Sequence, residues 1–369
     1  MSQEDISEDI SEDDYEDDAV AVEQAGGRIF NKQGAYGCIY TGQLLCKNKT
    51  KIQIGHTDKF HPALTKITLK EDAEIEITIS NLLRKIPIWQ NYFAVSEAIC
   101  EPTRYQQDPD MDKCDVTKSR PVNDIRILSM KYNGKSLPSY NFNLGTLDLL
   151  RFVKHMFEAG ALLAMKGIVH RDIHHGNVLV DYFAIPRIID FNLSITTSTD
   201  NSKIADLMRH KYEYQISQEP PDSMMMNAVQ QGYNVDNVIY DLIHKKNMLH
   251  IISALLLIPM QTLEEDMIRF AHESKYVREK NVVNWFRTFW KVIDSWAIGA
   301  IIVMKLFEFK HTTAYNRLKQ YERIIFPILR KMCEVDPRKR IDCVEALYML
   351  TPNSIIIRNF GGKEWLSMK

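Results

Sequence analysis

Gly167-Ile168-Val169-His170-Arg171-Asp172-Ile173-His174-His175-Gly176-Asn177-Val178-Leu179-Val180, followed shortly by Ile188-Ile189-Asp190-Phe191-Asn192, decides how the rest of the chain is read. Two short apolar runs of β character, 178–180 and 188–189, lie beside polar residues. That pattern predicts a strand-edged loop presenting Asp172, Asn177 and Asp190 to one place. A carboxylate can orient an attacking hydroxyl and accept its proton. Carboxylate, amide and phosphate oxygens are the ligands that Mg2+ prefers. The three side chains thus form the donor set that phosphoryl transfer requires, with Asp172 as candidate base and Asn177 and Asp190 as candidate metal ligands.

Outward from this stretch the chain changes character twice. Residues 1–25 are dominated by Asp and Glu, whose like charges repel, and are expected to form a disordered acidic tail containing Ser7 and Ser11. From residue 26 to 133 short β-rich runs, such as 37–40, 64–69 and 125–128, are interrupted by one helix-like segment at 73–86. From 134 to 369 apolar residues recur at helical spacing, notably over 147–165, 282–307 and 315–333. The expected fold class is therefore α+β, a small β-rich part followed by a larger, mainly helical one. A hydrophobic content of 45% supports a sizeable core and excludes global disorder. A formal net charge of -2 gives no reason to expect nucleic acid as a direct partner. The longest apolar stretches, 251–260 and 296–307, fall short of a membrane span. Six cysteines without a CxxC pair or a dense framework are expected to be reduced thiols in a cytosol-like compartment, so the expected location is cytoplasmic.

His-Arg-Asp with Asn five residues after Asp172, and then Asp-Phe, resembles the protein kinase family, whose catalytic loop is H-R-D-x-x-x-x-N followed by D-F-G. The resemblance covers about residues 28–350 and implies a bilobal fold with ATP and Mg2+ in the cleft and protein substrates. Asn31 to Ile39 resembles the glycine-rich loop, so Gly34, Ala35, Tyr36, Gly37 and Ile39 would cover the phosphates. Lys66 stands where the family lysine would pair with phosphates and with a helix glutamate. Glu76 is favoured for that partner, because Ile79, Leu83 and Ile86 then form an apolar face, and Glu74 is the alternative. Met130 would border the adenine, with residues 131–133, Tyr132 among them, as the hinge.

Further along, Pro220-Pro221-Asp222, Asp294-Ser295-Trp296-Ala297-Ile298-Gly299 and Asp336-Pro337-Arg338-Lys339-Arg340 resemble A-P-E, D-x-W-x-x-G and D-P-x-x-R. The resemblance implies that Asp294 anchors the catalytic loop and that Arg340 pairs with Asp222. The interval between Asp222 and Asp294 is several times the usual length, implying an inserted helical pair at about 224–290. The acidic tail and this insertion are the candidate docking elements for partners. A longer interval before Lys66 implies an inserted hairpin or loop around 43–60. Such insertions, with a non-glycine after Asp-Phe, resemble the serine/threonine kinases of large cytoplasmic DNA viruses, whose setting would be host cytoplasm or virion.

Three positions depart from the family pattern. Lys32 replaces the first glycine, His174 replaces the lysine that faces the transferring phosphate, and Asn192 replaces the glycine after Asp-Phe. Asn tolerates positive φ best among non-glycines, so Asn192 is expected to keep that backbone. His174 is retained as a catalytic candidate. Two rival readings stay open: D-x-H-x-G-N over 172–177 also resembles aminoglycoside and choline phosphotransferases, and a pseudokinase could use the same fold as a binding module.

Overall fold

The computed structural model describes residues 37–48, 54, 57, 62–103 and 114–368. The acidic tail, Lys32, Gly34, Ala35, Tyr36 and most of the 43–60 insertion lie outside the described residues.

The chain forms two compact units, one holding residues up to Ser80 with Val95–Tyr132, the other Asn81–Ala94 with Asn133–Lys369. The first is sheet-rich and the second mainly helical, the expected α+β class. In the first, β1 (Gly37–Thr41), β2 (Ala63–Leu69), α1 (Lys70–Leu83), β3 (Ala98–Cys100), α2 (Asp115–Ser119) and β4 (Ile125–Lys131) succeed one another. The sheet order is β1-β2-β4-β3 and every pairing is antiparallel. Registers Cys38↔Ile67 and Ile67↔Ile127 line up side chains that form one core with Tyr40, Leu44, Cys114 and Ile125.

That core contains the largest departure from the sequence reading. Cys38 and Cys114 form a disulfide with Cα atoms 6.0 Å apart, and Cys46 and Cys100 form another at 5.8 Å. The expectation of six reduced thiols is corrected: only Cys333 and Cys343 are free, both buried. The partners are 76 and 54 residues apart, so only the strand order brings them together. The cytosol-like compartment inferred from reduced thiols loses that support. No helix among the described residues is long and apolar enough to cross a membrane.

In the second unit β5 (Lys135–Ser136) leads to α3 (Leu149–Met165), then β6 (Ile168–Val169), β7 (Val178–Val180), β8 (Pro186–Ile188) and β9 (Ile195–Thr196). Asp148 caps α3 by accepting the Arg151 amide at 3.0 Å, and the helix buries Phe152, Val153, Met156, Phe157, Leu162 and Leu163. Each such side chain contributes about 1.5–3 kcal/mol by leaving water. Just past the helix end, Gly167 takes φ 65° with Thr197 packed where a Cβ would stand, so the chain can turn sharply into the catalytic loop.

Then follow α4 (Asn201–Met208), α5 (Pro221–Gln230), α6 (Val235–Lys245), α7 (Asn247–Leu256), α8 (Met260–Glu273), α9 (Lys275–Arg278), α10 (Val282–Phe289), α11 (Ile293–Lys310), α12 (Tyr315–Leu318), α13 (Glu322–Met332), α14 (Cys343–Leu350), α15 (Ile355–Asn359) and α16 (Gly362–Ser367). The expected inserted pair is in fact five helices, α6 to α10, the first two separated at Lys246. Likewise the helical pattern over 282–307 is two helices joined by a 3-10 turn at Trp290–Val292. Helix α11 is buried on nearly all sides, with Trp296 fully enclosed, and α7, α3 and α13 pack against it.

Candidate active site

In the first unit Lys66, on β2, is buried, and its Nζ lies 2.8 Å from Glu76 Oε2 on α1. Ser96 Oγ donates to the other Glu76 oxygen at 2.6 Å. Two residues earlier, Glu74 is half-turned outward against Lys70 at 3.9 Å, so Glu76 takes the ion pair. For a lysine only 5% exposed, such a partner offsets the cost of burial. Gly37 pairs with Thr68 and Ile39 with Lys66 across β1 and β2. Met130 pairs with Leu64, and the Tyr132 amide donates to Pro62 O at 2.9 Å.

In the second unit Asp294, at the start of α11, accepts the His170 amide at 2.7 Å and the Arg171 amide at 2.9 Å. Burial pushes its carboxyl pKa up, and His170, Arg171 and the two amide donors oppose that shift. His170 is fixed in turn: its Nδ1 accepts the Asp172 amide at 3.2 Å, so Nε2 carries the proton and donates to Ile189 O at 2.9 Å. The loop thus rises from α11 with Asp172 on top.

Hairpin β7–β8 places Asn177 and Asp190. Val178 pairs with Ile188, and the Ile189 amide donates to Asn177 O at 3.0 Å, which places Asn177 beside Asp190. Asn177 Nδ2 donates to Asp172 O at 3.0 Å and to Asp172 Oδ2 at 3.1 Å. With its nitrogen so engaged, Asn177 turns its amide oxygen away from Asp172. Gln218 Nε2 donates to the other carboxylate oxygen, Asp172 Oδ1, at 2.8 Å. His174 Nδ1 accepts the Gly176 amide at 3.0 Å, and its Nε2 is 3.8 Å from Asp172 Oδ2. The histidine therefore braces the loop from within.

Asn192 departs from expectation. It does not take positive φ; the left-handed turns of this region are at Asp190, φ 65°, and Arg171, φ 70°. The bend comes before Phe191, whose ring is buried against Phe93 and His170, so no special backbone is needed after it. Asn192 is itself buried, and its amide finds no hydrogen-bond partner among the described residues.

The segment after Asp190 is held by the inserted helices. Arg287 of α10 donates to Thr197 O, Thr199 O and Asn201 Oδ1 at 2.5 to 3.0 Å through its two terminal nitrogens. Lys246, between α6 and α7, donates to Ile216 O at 2.5 Å. Glu219 accepts from His210 at 3.2 Å and from Ser223 at 2.7 Å. Burial lowers the His210 pKa, and the Glu219 hydrogen bond and charge outweigh it, so the imidazole stays charged more readily than usual. Lys246 and Arg287 carried no signal in the sequence, being ordinary surface residue types outside every motif, and Gln218, two residues before Pro220-Pro221-Asp222, is of a residue type that gave no sign of a role.

Arg340 and Asp222 decide among phosphotransferase classes. Arg340 Nη2 donates to Asp222 Oδ1 at 2.7 Å, both side chains are fully enclosed, and the guanidinium stacks 5.3 Å from the Trp296 ring centre. This pair closes the kind of peptide-binding segment that small-molecule phosphotransferases lack, and with the fold it defines a protein-kinase-type phosphotransferase domain. A family model described as protein tyrosine and serine/threonine kinase matches residues 32–234, more than half of the chain, and the chain belongs to that family. A search of curated proteins finds no match.

Proposed function

We propose that the protein transfers the γ-phosphate of Mg-ATP to Ser or Thr hydroxyls of protein substrates, with Asp172 as the base. The observation that carries this reading is the state of the Asp172 carboxylate. Gln218 and Asn177 each hold one of its oxygens, leaving lone pairs on an oriented anion for an incoming hydroxyl. Asn177 and Asp190 bring hard oxygen donors alongside, too few for an all-protein cage and suited to Mg2+ that shares its shell with phosphate oxygens. Bound there, Mg2+ would neutralise charge on the phosphates. Lys66, steadied by Glu76, would bind phosphate oxygens, and Gly34, Ala35, Tyr36, Gly37 and Ile39 would cover them. Asp172 would take the hydroxyl proton as the oxygen attacks.

The test is phosphate transfer from radiolabelled ATP to casein by wild type and Asp172→Asn, followed by identification of the labelled residue. Turnover should fall by about 10²–10⁴ in the variant, as for loss of a general base. Near-normal turnover in Asp172→Asn removes the mechanism, and label on tyrosine alone removes the Ser/Thr assignment.

A further inference from the structure

We propose that Gln218 is the positioning residue for Asp172 and that the inserted helices hold Gln218 in register through Lys246. The inference rests on the reading of Asp172 as the base. A carboxylate held by one donor can swing about its last bond; two donors on opposite oxygens fix its plane. Asn177 holds Oδ2 from within the catalytic loop, at 3.1 Å, but Gln218 reaches Oδ1 from 46 residues away. Its hold is therefore only as good as the placement of its own backbone.

The residues on both sides of it are held, Ser217 and Ile216 through their backbone carbonyls and Gln215 and Glu219 through their side chains. Trp296 Nε1 donates to Ser217 O at 3.2 Å from α11. The Lys246 ammonium donates to Ile216 O at 2.5 Å and touches Met224 Sδ at 3.5 Å. Gln215 Nε2 donates to Lys245 O at 2.5 Å, and the Asn247 amide approaches Gln215 Oε1 at 3.5 Å. On the other side Glu219 is locked by His210 and Ser223. Three consecutive residues of the insertion thus grip two consecutive residues of the segment that carries Gln218.

Lys246 is the telling member. Its side chain is among the largest fully buried in the chain. Burying an ammonium is costly, and capping one backbone carbonyl could be done by a neutral side chain. The burial is understandable if the bond from Lys246 to Ile216 O is needed to keep the 215–219 stretch from shifting. A displacement of about 1 Å at a catalytic group can cost about 10²-fold in rate. The insertion, in this view, is part of how the base is held.

The test measures kcat, KM for ATP, KM for casein and melting temperature for the full chain and for Asp172→Asn, Gln218→Ala, Lys246→Met and the Gln218→Ala/Lys246→Met double variant. Gln218→Ala should lower kcat by about 10- to 100-fold with KM for ATP unchanged, the mark of a group that acts at the transition state. Lys246→Met should lower kcat less. Added to Gln218→Ala, it should change kcat by under about twofold, because it acts through the residue already removed. If Gln218→Ala does not fold, Gln218→Met keeps the volume without the donor and is read in the same way. A Gln218 variant with wild-type or higher kcat overturns the positioning role. Effects of the two residues that multiply overturn the link to the insertion. Asp172→Asn with near-normal turnover overturns instead the reading on which the inference rests, so the failures are told apart.

Discussion

Lys246 sits in a place that disfavours its charge. Burial pulls its pKa from the ordinary lysine value down to about 7, and the charge of Glu219 opposes that only in part. The sign of the resulting stability effect follows from where the proton sits. Between pH 7 and about 10 the unfolded chain keeps the lysine proton that the folded chain has lost, so wild-type stability gains with rising pH across that window. Below pH 7 the folded ammonium bears its full cost. Lys246→Met has no such group. Urea unfolding at several values from pH 6.5 to 9.5 should show wild type gaining on the variant as pH rises, and the pH trends of His210 and other groups common to both cancel in the difference. A constant difference across the range would mean that Lys246 does not titrate there.

At the scale of the element, the catalytic loop is short and internally braced. Arg171 and Asp190 sit in left-handed conformations that cost about 1–3 kcal/mol for such residues. They persist because Asp294 grips the loop amides and the Asn177–Ile189 bond ties the loop to β8. Gly176 completes the bracing in an unusual way: its amide donates to His174 Nδ1, and a Cβ there would stand 2.6 Å from His174 Cε1. Gly176→Ala should therefore push the imidazole aside and lower kcat to the level of His174→Ala. In a His174→Ala background the same change should have little further effect, because nothing remains to be displaced. Steady-state assays of the two single variants and the double variant check this. Separate, multiplying losses would show that Gly176 serves the loop backbone and not the histidine.

At the scale of the molecule the two units differ in how they are secured. The first carries both disulfides, closing chain separations of 76 and 54 residues, while the second has only the two free cysteines. Closing loops of that length is worth about 4 kcal/mol each in the chain-entropy account, and less than the sum here because one loop lies inside the other. Dithiothreitol should therefore lower the unfolding temperature of the sheet-rich unit, and the Cys38→Ser/Cys114→Ser pair of changes should reproduce part of the loss without reductant. Hydrogen exchange followed by peptide would assign the loss: β1, β2 and β4 should lose protection while α11 keeps its own. Equal protection in oxidised and reduced protein would show that the bridges contribute nothing to the fold.

Sequence alone singled out the residues proposed to carry the chemistry and, through the motifs, anticipated several contacts between them. Lys66 meets Glu76, Asp294 holds the loop at His170 and Arg171, and Arg340 meets Asp222, because each contact demands a particular residue type at a recognisable place. It determined equally that strands precede helices, since a period of two and a period of 3.6 bury different faces. Only the tertiary structure decided that Asn192 needs no left-handed backbone, that the insertion is five helices, that four cysteines are paired, and that Gln218, Lys246 and Arg287 hold the segment above Asp172. Those contacts join ordinary residue types across 30 to 90 residues of chain. No local spacing records them, because it is the packing of the intervening elements that sets which distant side chains meet.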